Sequence, residues 1–488
     1  MRKMISGLSS GNKRIMGVQP GLLTVLMVTA VSRALVIGLE PFPPDSIVYK
    51  AFALLHWPIF LTAAVLCRSG RPFREWTAAG LWFGLTTAAV RQFFVDERLS
   101  LSGPLADFIS PGWENAVLRA GITARSLVMG LVLGVISGAA ASAVHRLRNR
   151  RAQGASRKVS GTTAKGGKLA PVWVLLVLAP WTGEFLLGSS PLENLPWLAL
   201  ILPLYGGGAL LIRETVVRTG RGWPAVLLLG AAYGVIEAGL IDQSLFNPSF
   251  DEYDFINLSP VPLLDFSAVN ALNFVTAHAF WSIGVPIALT GLLFPHLKSE
   301  PWLGRKGYTL AFALYFAGCA IVFAMIYAGE RFIARPDQWL FAAAVAFALI
   351  CAALATKKKR RPISARPVPR PWIVGAGVFA AHSLFQFRPE NWSGVAMGIA
   401  ALVAAAVVAA YWCRRQGWTM RHELAVTAGA TLTCAWCGFV VTLTYRAEDA
   451  LAWAGNVLFL TVAVLLLVIA ARRINRHAAL KREETMGA

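Results

Sequence analysis

The sequence predicts an all-α, polytopic integral membrane protein of about fourteen transmembrane helices with both termini cytoplasmic. Three observations predict it. Hydrophobic residues make up 56% of the 488 positions and the mean hydropathy is +0.57, a composition that soluble domains do not show. Apolar windows of roughly 20 residues, each long enough to cross hydrocarbon as a helix, recur along the chain. The basic residues then alternate between loops: about 35 Lys and Arg fall on one side of the path and about half a dozen on the other.

A net charge of +21 in a soluble protein points to nucleic acid. Here the charge sits in short loops between apolar windows, so the expected partner is a bilayer with anionic headgroups, and no nucleic acid is expected. The first apolar run, 18–39, is too long for a signal-peptide core and has no small-residue cleavage site after it, so it reads as a retained span. High Ala, Gly and Arg usage fits a bacterial source, and the expected location is the bacterial cytoplasmic membrane.

In chain order the windows fall at about 18–39, 48–67, 76–95 and 122–145, an N-terminal membrane unit over 1–145. A basic, Gly/Ser/Thr-rich tract, 146–170, lacks apolar periodicity and reads as a flexible linker. Six windows follow, at about 171–188, 196–217, 223–241, 267–294, 308–328 and 338–355, and form a central unit over 171–355. A second linker, 356–370, opens on Lys357-Lys-Lys-Arg-Arg361 and continues with prolines. Four last windows, at about 371–388, 392–412, 423–444 and 450–471, belong to a C-terminal unit over 371–488. No strands are expected. The pair Cys434 and Cys437 has CxxC spacing but lies mid-window, where cysteine is a small buried hydrophobe. The loops 96–121 and 242–266 are large enough to form a lid or an aromatic-anchored interfacial loop.

The span of chain from 171 to 294 carries most of the intramembrane charge and the prominent helix breakers, at 180–183, 203, 206–208 and 286. Charge in hydrocarbon is expensive and marks function by default, while irregular backbone at that depth needs protein or water to satisfy it. Counting rise per residue from the window ends places Glu184, Glu237, His278 and His382 at one depth in the outer half, with Asp242 above Glu237. Asn270 and Asn273 share a helix face, and His278 lies near that face two turns on. Arg213 and Glu214 fall at the inner end of their window and read as a separate interfacial pair with Arg218.

The candidate catalytic residues are therefore Glu237 and His278, and the candidate substrate-binding or proton-coupling residues are Glu184, Asn270, Asn273, His382 and Asp242. No metal set and no cofactor are expected. Acids and imidazoles at one membrane depth, with broken helices beside them, lead to the expectation of a transporter or translocator of a small polar or lipid-linked substrate. The same groups would serve a hydrolase in which a glutamate activates water and a histidine orients it.

Gly234-Val-Ile-Glu237-Ala-Gly-Leu, followed on the next span by Phe274-Val-Thr-Ala-His278, resembles the CPBP (Abi, CAAX-protease-like) intramembrane peptidases over about 45 residues. That resemblance implies Glu237 as general base, His278 as its partner and His382 in the place of the family's last histidine. The chain departs from the pattern where Ala238 replaces a second glutamate and where the arginine a turn later is missing. A third expectation, a non-catalytic membrane scaffold, holds that no single charge in the cluster matters beyond folding.

Overall fold

The computed structural model describes residues 72–92, 169–250, 256–356 and 367–486, with residues 30 and 31 and scattered positions between 116 and 142. By contacts the chain divides into two compact units, Met1–Thr163 and Ala164–Ala488, a division that falls inside the tract 146–170.

In the first unit the described residues are helical. Helix α1 (Pro72–Gln92) lies where the third window is expected, and helical positions between 116 and 142 match the fourth. The windows at 18–39 and 48–67 lie outside the described residues except for residues 30 and 31.

The second unit holds ten long helices among its described residues: α2 (Leu169–Leu186), α3 (Leu192–Arg218), α4 (Trp223–Ile241), α5 (Ala268–Leu293), α6 (Arg305–Glu330), α7 (Pro336–Ala355), α8 (Pro371–Gln386), α9 (Trp392–Trp412), α10 (Met420–Tyr445) and α11 (Ala450–Met486). Each coincides with an expected window. All but α8 are long and apolar enough to cross a membrane, and α8, at 16 residues, is shorter than the rest. A bilayer-sized helix satisfies every backbone bond internally, which is why apolar windows of this length fold this way.

Small residues let these helices approach. A Cβ on Gly206 of α3 would run into the backbone of Leu176 on α2, and one on Gly318 of α6 would run into the backbone of Leu204 on α3. Close backbone approach through small residues is the usual packing device where lipid supplies no hydrophobic drive. Helix α3 therefore runs without interruption through Pro203 and Gly206–208. The break expected there does not occur, because the neighbouring helices hold the segment and the glycines serve packing. The expected irregularity is kept at 180–183 and ahead of Pro286, as described below.

The six-span and four-span groups expected on either side of 356–370 pack as one unit. Cys434 Sγ of α10 donates to Thr182 O of α2 at 3.3 Å, and the Arg446 guanidinium donates to Gly188 O and Ser189 O at 3.1 Å. Aromatic contacts join Trp181 and Phe185 of α2 to Phe459 of α11. Cys434 and Cys437 are buried free cysteines, in keeping with their reading as core residues.

Strands do occur, against expectation, as one minimal pair: β1 (Pro260–Val261) and β2 (Phe266–Ser267) are antiparallel in register Pro260 to Ser267. The pair closes a turn in the 242–266 loop, whose left-handed residues Ser259 and Asp265 bend the backbone. The described part of this loop is fastened down. Gln243 Oε1 accepts from Ala334 N at 2.7 Å and Trp339 Nε1 at 3.3 Å, Asn247 donates to Glu330 at 2.9 Å, and Asp265 pairs with Arg335. Phe246 is buried edge-on against Phe266, which stacks on Phe341.

At the other end of α3, Arg213 and Glu214 are buried, 3% and 0% exposed. Glu214 accepts from Arg213 at 2.5 Å, Arg218 at 3.3 Å, Trp302 N at 2.9 Å and Leu303 N at 3.3 Å. Arg213 also donates to three carbonyls, of Leu297, Lys298 and Glu300, and lies 3.5 Å over the Trp302 ring. The pair expected at an interface is therefore a buried latch, because the 295–303 segment folds back over it.

Candidate functional site

Three of the four spans between 169 and 293 leave the α-helical path for a π-helical stretch: Trp181–Leu186 in α2, Glu237–Ile241 in α4 and His278–Gly284 in α5. Each stretch carries one of the ionisable residues singled out from the sequence, Glu184, Glu237 and His278. A π turn holds an extra residue, widens the helix and re-aims side chains, and such turns gather at functional sites. Two have a local cause in proline. Pro180 ends the α-helical part of α2 and has no N–H to give. The ring of Pro286 crowds the carbonyl four residues back, that of Ser282, within the α5 stretch.

The re-aimed side chains meet. His278 Nε2 lies 2.8 Å from Glu237 Oε2. Tyr205 Oη, from α3, lies 2.5 Å from Glu184 Oε1 and 3.3 Å from Glu237 Oε1. On its other side the imidazole meets Ser282 Oγ at 3.0 Å through Nδ1. The result is one chain of polar contacts across four helices, Glu184–Tyr205–Glu237–His278–Ser282. Glu237 is 4% exposed, Tyr205 4% and Ser282 2%.

The backbone is cut to fit this chain. A Cβ on Gly183 would stand 2.5 Å from Ser282 Oγ and 3.2 Å from the Tyr205 ring, and one on Gly234 would stand 3.0 Å from His278 Cβ. The two π-helical stretches of α2 and α5 are tied directly by Thr182 Oγ1, which donates to Trp281 O at 2.6 Å. Aromatic rings close the site: Tyr233 stands 5.9 Å from Tyr205, 5.7 Å from His278 and 6.2 Å from Tyr315, centroid to centroid.

The other sequence candidates lie around this chain. Asp242 follows the π-helical stretch of α4; its N–H donates to Glu237 O, and its Oδ1 accepts from Ser244 N and Oγ, each at 2.9 Å. Burial pushes its carboxyl well above the usual carboxylate range, Glu237's charge adds to the rise, and the Ser244 hydrogen bonds oppose it. Asn270 is buried in the first turn of α5, where its N–H is capped by Ser267 Oγ at 3.1 Å. Asn273 faces elsewhere and accepts from the buried Arg388. His382 does not join the hydrogen bonds of the cluster: it packs edge-on against Phe280 at 4.9 Å, and its Nδ1 has no hydrogen-bond partner among the described residues.

A match to a family model decides the chain's membership. The model of an uncharacterized membrane protein family matches residues 173–482, more than half of the chain. The chain belongs to that family. The match begins within α2 and ends within α11, so the matched stretch includes every residue of the polar chain. No match to the CPBP peptidases accompanies it. No curated protein and no solved structure matches the chain. Among the described residues, no group of three or more His, Cys, Asp and Glu side chains is placed to hold a metal ion.

The sequence singled out the two carboxylates and the imidazole that the structure of this family member brings together, but not Tyr205, Tyr233 or Ser282 beside them. A tyrosine in an apolar window reads as an interface anchor. The available signal was position: Tyr205 adjoins Gly206–208, where helices come close enough to bury a phenol.

Proposed function

We propose that the protein uses the Glu184–Tyr205–Glu237–His278 chain as a proton-binding centre, coupled to movement of a small polar or lipid-linked substrate across the bacterial cytoplasmic membrane. The observation that carries this reading is the Tyr205 hydroxyl between two carboxylates, of half-buried Glu184 and buried Glu237. A phenol has one proton to donate, so it serves one carboxylate at a time, and the charge of the chain changes with each proton bound. Two carboxylates and one imidazole in low dielectric repel or attract strongly enough for that change to alter local packing. Three π-helical stretches supply irregular backbone beside the chain that is able to respond.

The contact between Glu237 and His278 favours one second reading, an intramembrane hydrolase in which Glu237 removes a proton from water and His278 orients the pair. It is the arrangement that the CPBP resemblance implies, and it requires a water at Glu237.

Reconstituted vesicles holding a pH-sensitive dye separate the readings. Under an imposed membrane potential, vesicles are challenged with panels of amino acids, sugars and organic phosphates. Coupled transport predicts a proton signal with at least one class, lost in Glu237→Gln and His278→Ala. Identical traces from protein-containing and empty vesicles across the panel count against transport. Cleavage of a fluorogenic peptide or ester that is lost in Glu237→Gln, without proton movement, supports the hydrolase.

A further inference from the structure

Tyr233 is 2% exposed, and its hydroxyl has no hydrogen-bond partner among the described residues. A buried donor left unmade costs as much as several ordinary hydrogen bonds gain, so native proteins rarely keep one. The ring is unable to turn away to find a partner. Gly208 of α3 lies flat beneath it, where a Cβ would stand 2.7 Å from the ring, and the rings of Tyr205, His278 and Tyr315 hold its edges. The groups in electrostatic reach of its hydroxyl include Glu237, Tyr315, Cys319 and Glu184. Tyr233 and Glu237 lie four residues apart on α4, on one face of the helix.

Resting on the reading of this cluster as a polar working site, we propose that Tyr233 Oη holds a buried water that bridges to the Glu237 carboxylate. Buried waters occupy such positions, where two or more polar groups converge and one lacks a protein partner. The water makes Tyr233 a positioning residue: it sets where a solvent oxygen stands beside Glu237. It also brings the hydrogen-bonded pair Tyr315 and Cys319 of α6 next to the chain. A polar path thereby leads from Glu237 toward α6, through groups that the Glu184–Tyr205–Glu237–His278 chain does not use.

The test places 3-fluorotyrosine at position 233 of the full chain in detergent micelles and records its fluorine resonance in H2O and in D2O. A phenol bonded to exchangeable water shows a solvent-isotope shift, and the bridging water predicts one. A resonance insensitive to D2O overturns the proposal. In parallel, Tyr233→Phe keeps the ring and removes the hydroxyl. With a water in place the variant's unfolding midpoint falls, because Glu237 loses a bridged donor. If the hydroxyl is orphaned the midpoint rises, and that result also overturns the proposal. The fluorine resonance reads solvent contact at one side chain, so it stands or falls apart from any proton coupling in vesicles.

Discussion

Glu237 and His278 meet at 2.8 Å across two helices, and the π-helical stretch of each helix begins at that residue. Helix irregularity and charge pairing thus have one location. An α-helix continued through either position would rotate the side chains beyond the stretch by about 100° per residue left out. The site is a product of where the helices depart from regularity as much as of which residues they carry.

The first prediction concerns the bridging phenol. Tyr205→Phe keeps the ring against Tyr233 and His278 while removing the donor that both carboxylates share. Loss of a buried hydrogen bond to a charged acceptor costs about 2 kcal/mol. Denaturant unfolding in mixed micelles should show that loss, and the vesicle proton signal should disappear with it. An unchanged midpoint would mean that Tyr205 is only packed beside the acids.

Gly183 and Ser282 should be coupled. Gly183→Ala drives a methyl into Ser282 Oγ, and such overpacking costs about 1–3 kcal/mol. Ser282→Ala removes the oxygen and makes room. A double-mutant cycle should therefore show the pair less destabilised than the sum of the single variants, by about 1 kcal/mol. Additive effects would show that α2 and α5 do not touch there.

The buried latch at the far end of α3 gives a third prediction. Arg213→Ala strands the Glu214 carboxylate, which keeps only the half-exposed Arg218 as a charged partner. Breaking a buried pair in this way costs about 3–5 kcal/mol. Arg213→Lys restores charge but not the planar fork that reaches the carbonyls of Leu297, Lys298 and Glu300, so it should recover only part of the loss. Thermal unfolding of the three proteins in one detergent measures it.

Much of this was legible in the sequence, for identifiable reasons. All ten helices of the second unit follow from apolar windows, because hydrocarbon leaves a backbone no other open-ended solution. Counting about 1.5 Å of rise per residue led to the expectation that Glu184, Glu237 and His278 come near one another, and they are joined through Tyr205 and the Glu237–His278 contact. Rotation about the helix axis was not legible, since each π turn resets it. Which neighbour packs against a given helix face was not legible either: Asn273 meets Arg388 and His382 meets Phe280 instead of the acids. The basic residues were only partly understood. Arg213, Arg221, Arg446 and Arg473 donate to backbone carbonyls of Leu297, Leu354, Gly188 and Leu293, and so staple chain segments as well as carrying loop charge.

Asp242 supplies a pH prediction with a definite sign. Its carboxyl takes up a proton more readily in the folded protein than in the unfolded chain, through burial and the nearby Glu237 charge. The folded state then binds the extra proton, so this group's contribution to stability falls as pH rises from about 3.8, the ordinary value, up through its raised folded value. Asp242→Asn keeps an oxygen for the Ser244 bonds and has no charge to bury. The variant should be the more stable protein at neutral pH, with the difference vanishing at acid pH. A difference that stays constant with pH would remove Asp242 from any proton linkage.

The central claim is that the buried chain holds a proton that its acids share, and pH-difference infrared spectroscopy reads this most directly. Spectra of the wild-type protein in lipid, taken across a pH titration, should show a protonated-carboxyl band that disappears as pH rises. Glu184→Gln and Glu237→Gln should each remove or shift that band, and Tyr205→Phe should shift it by removing the shared donor. A band that is absent at every pH, or one unchanged in all three variants, would contradict the account.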